Sequence, residues 1–145
     1  MRLEGEGETE ALGHRLAGQL RSGDVVALFG DLGAGKTTLA RGMLRGLGFE
    51  GDVASPTFAI VQPYETVAPP LWHVDLYRIE DPAEFRELAL DEALDEGVLV
   101  IEWPERLGEA LWPHALRLTL SRDGEGARAL TAKVPAAWEA RWPPR

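Results

Sequence analysis

The stretch "GDLGAGKTTLARG" (residues 30–42) narrows the folds open to this chain more than any other feature. Gly30, Gly35, Lys36 and Thr37 match the spacing G-x-x-x-x-G-K-[ST] in full. Glycines at such positions let the backbone curl until successive N–H groups face inward and form an anion nest. The preceding run "DVVALFG" (24–30) is short and nearly all apolar, as a buried parallel strand requires. In the following "KTTLARGMLRGLG", Leu39, Met43, Leu44 and Leu47 have helical spacing, and Gly48 suits the end of the helix. A helix starting there would add the positive end of its dipole to the nest. Lys36 then reaches the β- and γ-phosphates of a nucleotide, and the Thr37 hydroxyl is placed to ligate Mg²⁺. The chain has only two lysines, and one of them sits in this loop.

The remainder reads as a single α/β domain over residues 1–145, with the tail 135–145 expected at the periphery. Leu12, Leu16 and Leu20 recur every four residues and predict an amphipathic helix over 8–20. "SPTFAIVQPYE" (55–65) and "LWHVDLYR" (71–78) read as strands joined through "TVAPP". The acidic segment 81–97 predicts one or two short helices, with Asp81 as N-cap and Pro82 after it. "VLVIEWPE" (98–105) reads as another apolar strand. Residues 115–121 and 127–134 alternate about the turn "RDGEG", the pattern of a hairpin. This order predicts a P-loop NTPase-like domain: a mainly parallel central sheet flanked by helices, with a C-terminal β-hairpin.

Composition removes several function classes. Without cysteine there are no disulfides and no thiolate metal sites. No apolar run approaches the ~20 residues that span a bilayer. The acidic start "MRLEGEGETE" lacks the apolar centre of a signal peptide, so a cytoplasmic location is expected. The net charge of −9 and the absence of any Arg/Lys run argue against a protein that grips nucleic acid unaided. The chain also has no asparagine, which rules out the usual N-K-x-D reader of guanine and favours ATP.

Ligands of open parallel sheets bind beyond the carboxyl ends of the strands. Glu102 ends the aliphatic run "VLVIE" and stands either where an acid that holds Mg²⁺ is needed or as a strand-edge cap bonded to an arginine. Asp75, ending "LWHVD", is its rival. His73, Asp75 and Tyr77 alternate onto one strand face, with Arg78 next, either as a polar network serving the γ-phosphate or as an ordinary half-exposed strand. Thr57 in "SPT" reads either as a threonine that binds Mg²⁺ or the γ-phosphate and orders a loop, or as part of a Ser-Pro turn into a strand. Trp72 and Trp103 both read as core residues, and Trp103, directly after Glu102, has the alternative reading of a residue that reports on or gates the site.

Taken together and in order, "GDLGAGKTTLARG", "SPTF", "HVDLYR" and "EWPER" resemble the bacterial TsaE (YjeE) family over about residues 8–130. The resemblance implies a small P-loop ATPase required for making threonylcarbamoyladenosine in tRNAs that read codons beginning with A. It implies a TsaB–TsaD heterodimer as the partner that carries out transfer, with tRNA reached mainly through that partner and no membrane involved. By the same resemblance Gly33, Ala34, Gly35, Lys36, Thr37 and Thr38 form the ATP loop, and Thr37 and Glu102 are the Mg²⁺ ligands. Asp75 and Thr57 would serve hydrolysis together with Lys36, and Trp103 would be a functional neighbour. Thr9 and, on a looser alignment, Arg128 would approach the nucleotide. Trp138 and Trp142 lie outside the matched part. The expected chemistry is ATP hydrolysis, weak until the partner is present. A small-molecule kinase, or an assembly factor that needs only nucleotide binding, would share the same loop.

Overall fold

The computed structural model describes residues 1–56 and 60–145. Seven strands lie among them: β1 (Arg2–Glu4), β2 (Val25–Phe29), β3 (Val61–Tyr64), β4 (Leu71–Asp75), β5 (Val98–Glu102), β6 (Leu116–Arg122) and β7 (Ala127–Lys133). The helices are α1 (Glu6–Ala17), α2 (Lys36–Gly46), α3 (Pro82–Glu87) and α4 (Leu90–Glu96). All seven strands form one sheet in the order β1-β7-β6-β2-β5-β4-β3. Its centre is parallel, since β2 pairs in parallel with both β5 and β6, and β4 with β5. Both margins are antiparallel: β3 on β4 at one side, β7 on β6 and β1 on β7 at the other. The α/β architecture expected from the sequence is present, with a mixed sheet whose parallel strands carry the phosphate loop.

Strand alternation sends successive side chains to opposite faces. Val26, Leu28, Leu71, Val98, Val100, Leu116 and Leu118 share one core with Leu12 and Leu16 of α1 and Leu39, Met43 and Leu44 of α2. Val25, Ala27, Val74, Leu99 and Ile101 share the other with Leu76, Ile79, Leu90, Leu107 and Leu111. The central strands are therefore buried on both sides, which is why they read as continuous apolar runs.

Helices α1 and α2 meet backbone to backbone. A Cβ at Gly42 would come 2.1 Å from the Glu10 carbonyl oxygen, and one at Gly13 would come 2.3 Å from that of Leu39. Only glycine permits this approach, and it brings the start of α1 beside the start of α2. At the other end of α2, Gly48 adopts a φ of 101° and the Phe49 N–H bonds the Leu44 carbonyl, closing the helix as expected.

Five expectations need correction, the first being the helix predicted over 8–20, which runs over Glu6–Ala17. The strand predicted over 71–78 stops at Asp75, because the Tyr77 N–H turns back to Asp75 Oδ1 at 2.9 Å. Tyr77 and Arg78 therefore lie beyond the strand and share no face with His73. The strand predicted over 98–105 stops at Glu102, because Trp103 takes a φ of 58° and Pro104 begins a 3₁₀ turn. Within 55–65 only Val61–Tyr64 is a strand among the described residues. The tail is not peripheral: Trp138 is fully buried in the α1–α2 core. Strand β1 was not foreseen, since three residues carry no periodicity.

Candidate nucleotide site

Strand β2 ends at Phe29, and the chain then makes the phosphate loop before entering α2 at Lys36. Gly30, Gly33 and Gly35 have φ values of 144°, 79° and 108°, a region that side-chain-bearing residues rarely adopt. Gly30 is doubly required, because a Cβ there would lie 2.4 Å from the Leu120 carbonyl oxygen. The first turn of α2 carries no acidic residue, whereas α1 begins with Glu6 and Glu8. The positive end of α2 is thus left for an external anion.

A cleft of about 350 Å³ lies over this loop. Its floor is Gly33, Gly35, Lys36, Thr37 and Thr38, and Asp75, Glu102 and Trp103 form one wall. Gly5, Glu6, Thr9, Leu32, Ser55 and Arg128 complete the lining. Ala34 faces the core instead and is buried. Strands β2, β5 and β4 are adjacent and parallel, so their carboxyl ends deliver the loop, Glu102 and Asp75 to the same place.

Lys36 is buried, with Nζ donating to the Gly30 carbonyl at 2.6 Å and lying 3.9 Å from the Trp103 ring centroid. Burial holds its pKa below the usual 10.5, against the pull of Glu102, Glu105, Asp75 and Asp31. The amine is therefore parked on the loop's own carbonyl and an aromatic face. The left-handed backbone of Trp103 presents that face, and the Tyr77 ring packs on Trp103 with centroids 5.0 Å apart.

Thr37 Oγ1 donates to the Glu102 carboxylate, 3.2 Å from Oε2 and 3.4 Å from Oε1. Asp75 stands directly opposite Glu102 in the strand register, and both are buried. Asp75 accepts from the Tyr77 N–H, and Ser55 Oγ donates to its other oxygen at 3.4 Å. A threonine hydroxyl beside two carboxylates is a hard-oxygen donor set of the kind that suits Mg²⁺. Among the described residues no group of three His, Asp or Glu side chains is placed to hold a metal alone. A cation at Thr37 and Glu102 would complete its shell with water and phosphate oxygens, as Mg²⁺ does in nucleotide sites.

Thr9 spends its hydroxyl on its own helix, bonded to the Gly5 carbonyl at 3.2 Å. Its methyl carbon is 3.7 Å from the point a Gly35 Cβ would occupy, so it lines the cleft as an apolar contact. Arg128 reaches from β7 to the Gly33 carbonyl at 3.2 Å. Thr57 lies outside the described residues. Sequence reading missed Arg122, whose guanidinium is 2.5 Å from where a Gly33 Cβ would sit. It also missed the stacking of Lys36 on Trp103. No motif announces either, because both depend on how the β6–β7 hairpin and the Trp103 turn fold back over the loop.

No helix among the described residues is long and apolar enough to cross a membrane. The family model for threonylcarbamoyl adenosine biosynthesis protein TsaE matches residues 3–130. The tRNA threonylcarbamoyladenosine biosynthesis protein TsaE of Streptomyces coelicolor is 49% identical over 114 residues, 77% of this chain and 77% of that protein. The protein of the same name from Bacillus subtilis is 42% identical over 125 residues, 86% of this chain and 78% of its own length. The crystal structure of Bacillus subtilis YdiB superposes with a TM-score of 0.82 at 34% identity, covering 97% of this chain and 88% of that one. With the phosphate loop, the two strand-end carboxylates and these relatives in agreement, the chain belongs to the TsaE family of tRNA threonylcarbamoyladenosine biosynthesis proteins.

Proposed function

We propose that this chain is a Mg²⁺-dependent, cytoplasmic ATPase that binds a TsaB–TsaD heterodimer and supports threonylcarbamoylation of tRNA. The observation that carries the reading is the convergence of Lys36, Thr37, Glu102 and Asp75 in one cleft at the carboxyl ends of three adjacent parallel strands. ATP would lay its phosphates in the nest at the start of α2, with residues 33–38 around them. Lys36 would leave the Gly30 carbonyl for the β- and γ-phosphates and offset charge that develops on the transferring group. Mg²⁺ would be held by Thr37 and Glu102 and would neutralise phosphate charge. Thr9 and Arg128 would flank the rest of the nucleotide.

In the reaction a water oxygen attacks the γ-phosphorus and the bond to the β–γ bridging oxygen breaks. ADP keeps the electron pair of that bond, and the water's protons pass to phosphate and solvent. Asp75 is the carboxylate that orients the attacking water, and Thr57 is proposed to serve hydrolysis with it. The acidic balance of the chain supports a division of labour in which the partner holds the tRNA.

The test is steady-state ATP hydrolysis by the pure protein, with and without purified TsaB–TsaD, and with GTP as control. Slow hydrolysis alone and stimulation confined to ATP are expected. Asp75→Ala should reduce the stimulated rate at least 100-fold while ATP still binds. Transfer of phosphate to a metabolite instead of water, or an Asp75→Ala rate equal to wild type, would overturn the reading.

A further inference from the structure

One side chain at the site has a polar role that the proposed hydrolysis does not use. His73 sits in the middle of β4, fully buried, on the same sheet face as Leu71 and Asp75. Its neighbour across the parallel pairing is Val100, and Val98 and Val100 belong to the apolar core beneath α1 and α2. An aliphatic residue would suit that place. The imidazole instead reaches one step along the sheet to Glu102, with Nε2 2.6 Å from Oε2. A carboxylate oxygen accepts, so Nε2 is the donor. The other ring nitrogen, Nδ1, is buried with no hydrogen-bond partner among the described residues. Burying an unpaired nitrogen is unfavourable, and the bond from Nε2 to Glu102 is what offsets it.

Glu102 needs such a bond. It faces Asp75 directly across the strand pair, and two like charges at that spacing push apart. The carboxylate is long enough to swing away from Asp75 and from Thr37. The His73 donor engages the same oxygen, Oε2, that stands 3.2 Å from Thr37 Oγ1. That one oxygen thus has both the imidazole and the hydroxyl within hydrogen-bond distance.

We propose that His73 is a positioning residue for Glu102, holding its carboxylate toward Thr37 so that the pair is set for the Mg²⁺ of a bound Mg–ATP. This rests on the reading of Thr37 and Glu102 as the metal pair. Outer partners of this kind commonly change metal affinity 10- to 100-fold when removed.

Two substitutions separate positioning from mere packing. His73→Gln places an amide N–H near the position of Nε2 and still reaches Glu102, whereas His73→Asn places its amide near Nδ1 and falls short. Both bury an amide, so a structural role alone would treat them alike. The full-length protein is titrated with a fluorescent ATP analogue in EDTA, then with Mg²⁺ at fixed analogue, and thermal midpoints are recorded beside both. Expected for His73→Asn is a Mg²⁺ half-saturation about 10-fold or more above wild type, with metal-free binding within about twofold. His73→Gln should stay within about threefold of wild type in both. Equal Mg²⁺ half-saturation in wild type and both variants would overturn the proposal while leaving the Mg–ATP site intact. Equal weakening in the two variants, in step with lost thermal stability, would overturn it in favour of packing. A wild-type protein that binds the analogue with no response to Mg²⁺ would remove the metal pair itself, and the proposal with it.

Discussion

At the scale of single residues, Lys36 is held in a state that a ligand must change. Its amine is stacked on Trp103 and bonded to Gly30, and burial lowers its pKa from the usual 10.5. A phosphate group arriving in the nest favours the charged form and raises the pKa again. Proton occupancy in the complex then exceeds that in the free protein at alkaline pH, so binding takes up a proton there. ATP affinity should therefore be flat from neutral pH upward until the free Lys36 begins to deprotonate, then fall by at most tenfold per pH unit. The same shift acts on folding with the opposite sign. The folded pKa lies below the unfolded one, so the unfolded chain binds more protons in that window, and this group makes the empty protein more stable as pH rises through it. Calorimetric ATP titrations across the alkaline range, repeated in buffers of different ionisation enthalpy, check both the fall and the proton uptake. Lys36→Gln should bind weakly with no pH-dependent loss in that range. A wild-type affinity that stays level through the range would mean that Lys36 does not contact the phosphates.

Elements show what the sequence could and could not disclose. Strand β2, the phosphate loop and α2 were legible because each leaves a local mark: an apolar run, spaced glycines, leucines at helical intervals. Asp75 and Glu102 were legible as acids that close apolar runs. The ends of those strands were not, since a side-chain bond to the Tyr77 N–H and a left-handed Trp103 decide them, and neither follows from propensity. The pairing of Glu102 with His73 was also hidden, because it needs the register of β4 on β5. Most obscure was the joint between α1 and α2. Gly13 and Gly42 look like weak points in two helices, yet they set the separation that puts Thr9 against Gly35. Gly42→Ala should thus cost about 1–3 kcal/mol by overpacking and lower the melting midpoint by several degrees. ATP affinity should drop with it as α1 moves away from the loop. Gly7→Ala, in α1 but with nothing within 4 Å of its Cβ, should be neutral or stabilise by up to about 1 kcal/mol. Thermal melts of the two variants decide the matter: equal midpoints would deny the close contact its role.

For the molecule as a whole, the clasp at the far end of β2 is the counterpart of the nucleotide cleft. The phosphate loop follows the carboxyl end of β2, whereas Asp24 precedes its first residue. Asp24 binds the tail through a buried two-point contact with Arg141, at 2.6 and 3.0 Å. Arg141 also donates to the Gln19 carbonyl at 2.8 Å, just past α1, and to that of Ala137 at 3.0 Å, and it lies over the Trp138 ring. One guanidinium thus ties the end of the first helical segment, the start of the central strand and the last turn of the chain. Removing one partner of a buried pair leaves the other charge without compensation, which costs about 3–5 kcal/mol. Arg141→Met should therefore lower stability by about that amount in urea unfolding. Asp24→Val in the same chain should restore part of the loss, because it removes the stranded carboxylate. ATP affinity of the folded fraction should change less than twofold, since the clasp and the cleft lie at opposite ends of one strand. Truncation before Pro135 should be worse than Arg141→Met, because it also strips the fully buried Trp138 from the α1–α2 core. If Arg141→Met unfolds at the wild-type urea concentration, the tail is an appendage. If instead it unfolds early and the double variant recovers, the tail is the fastener of the layer against which the nucleotide site is built.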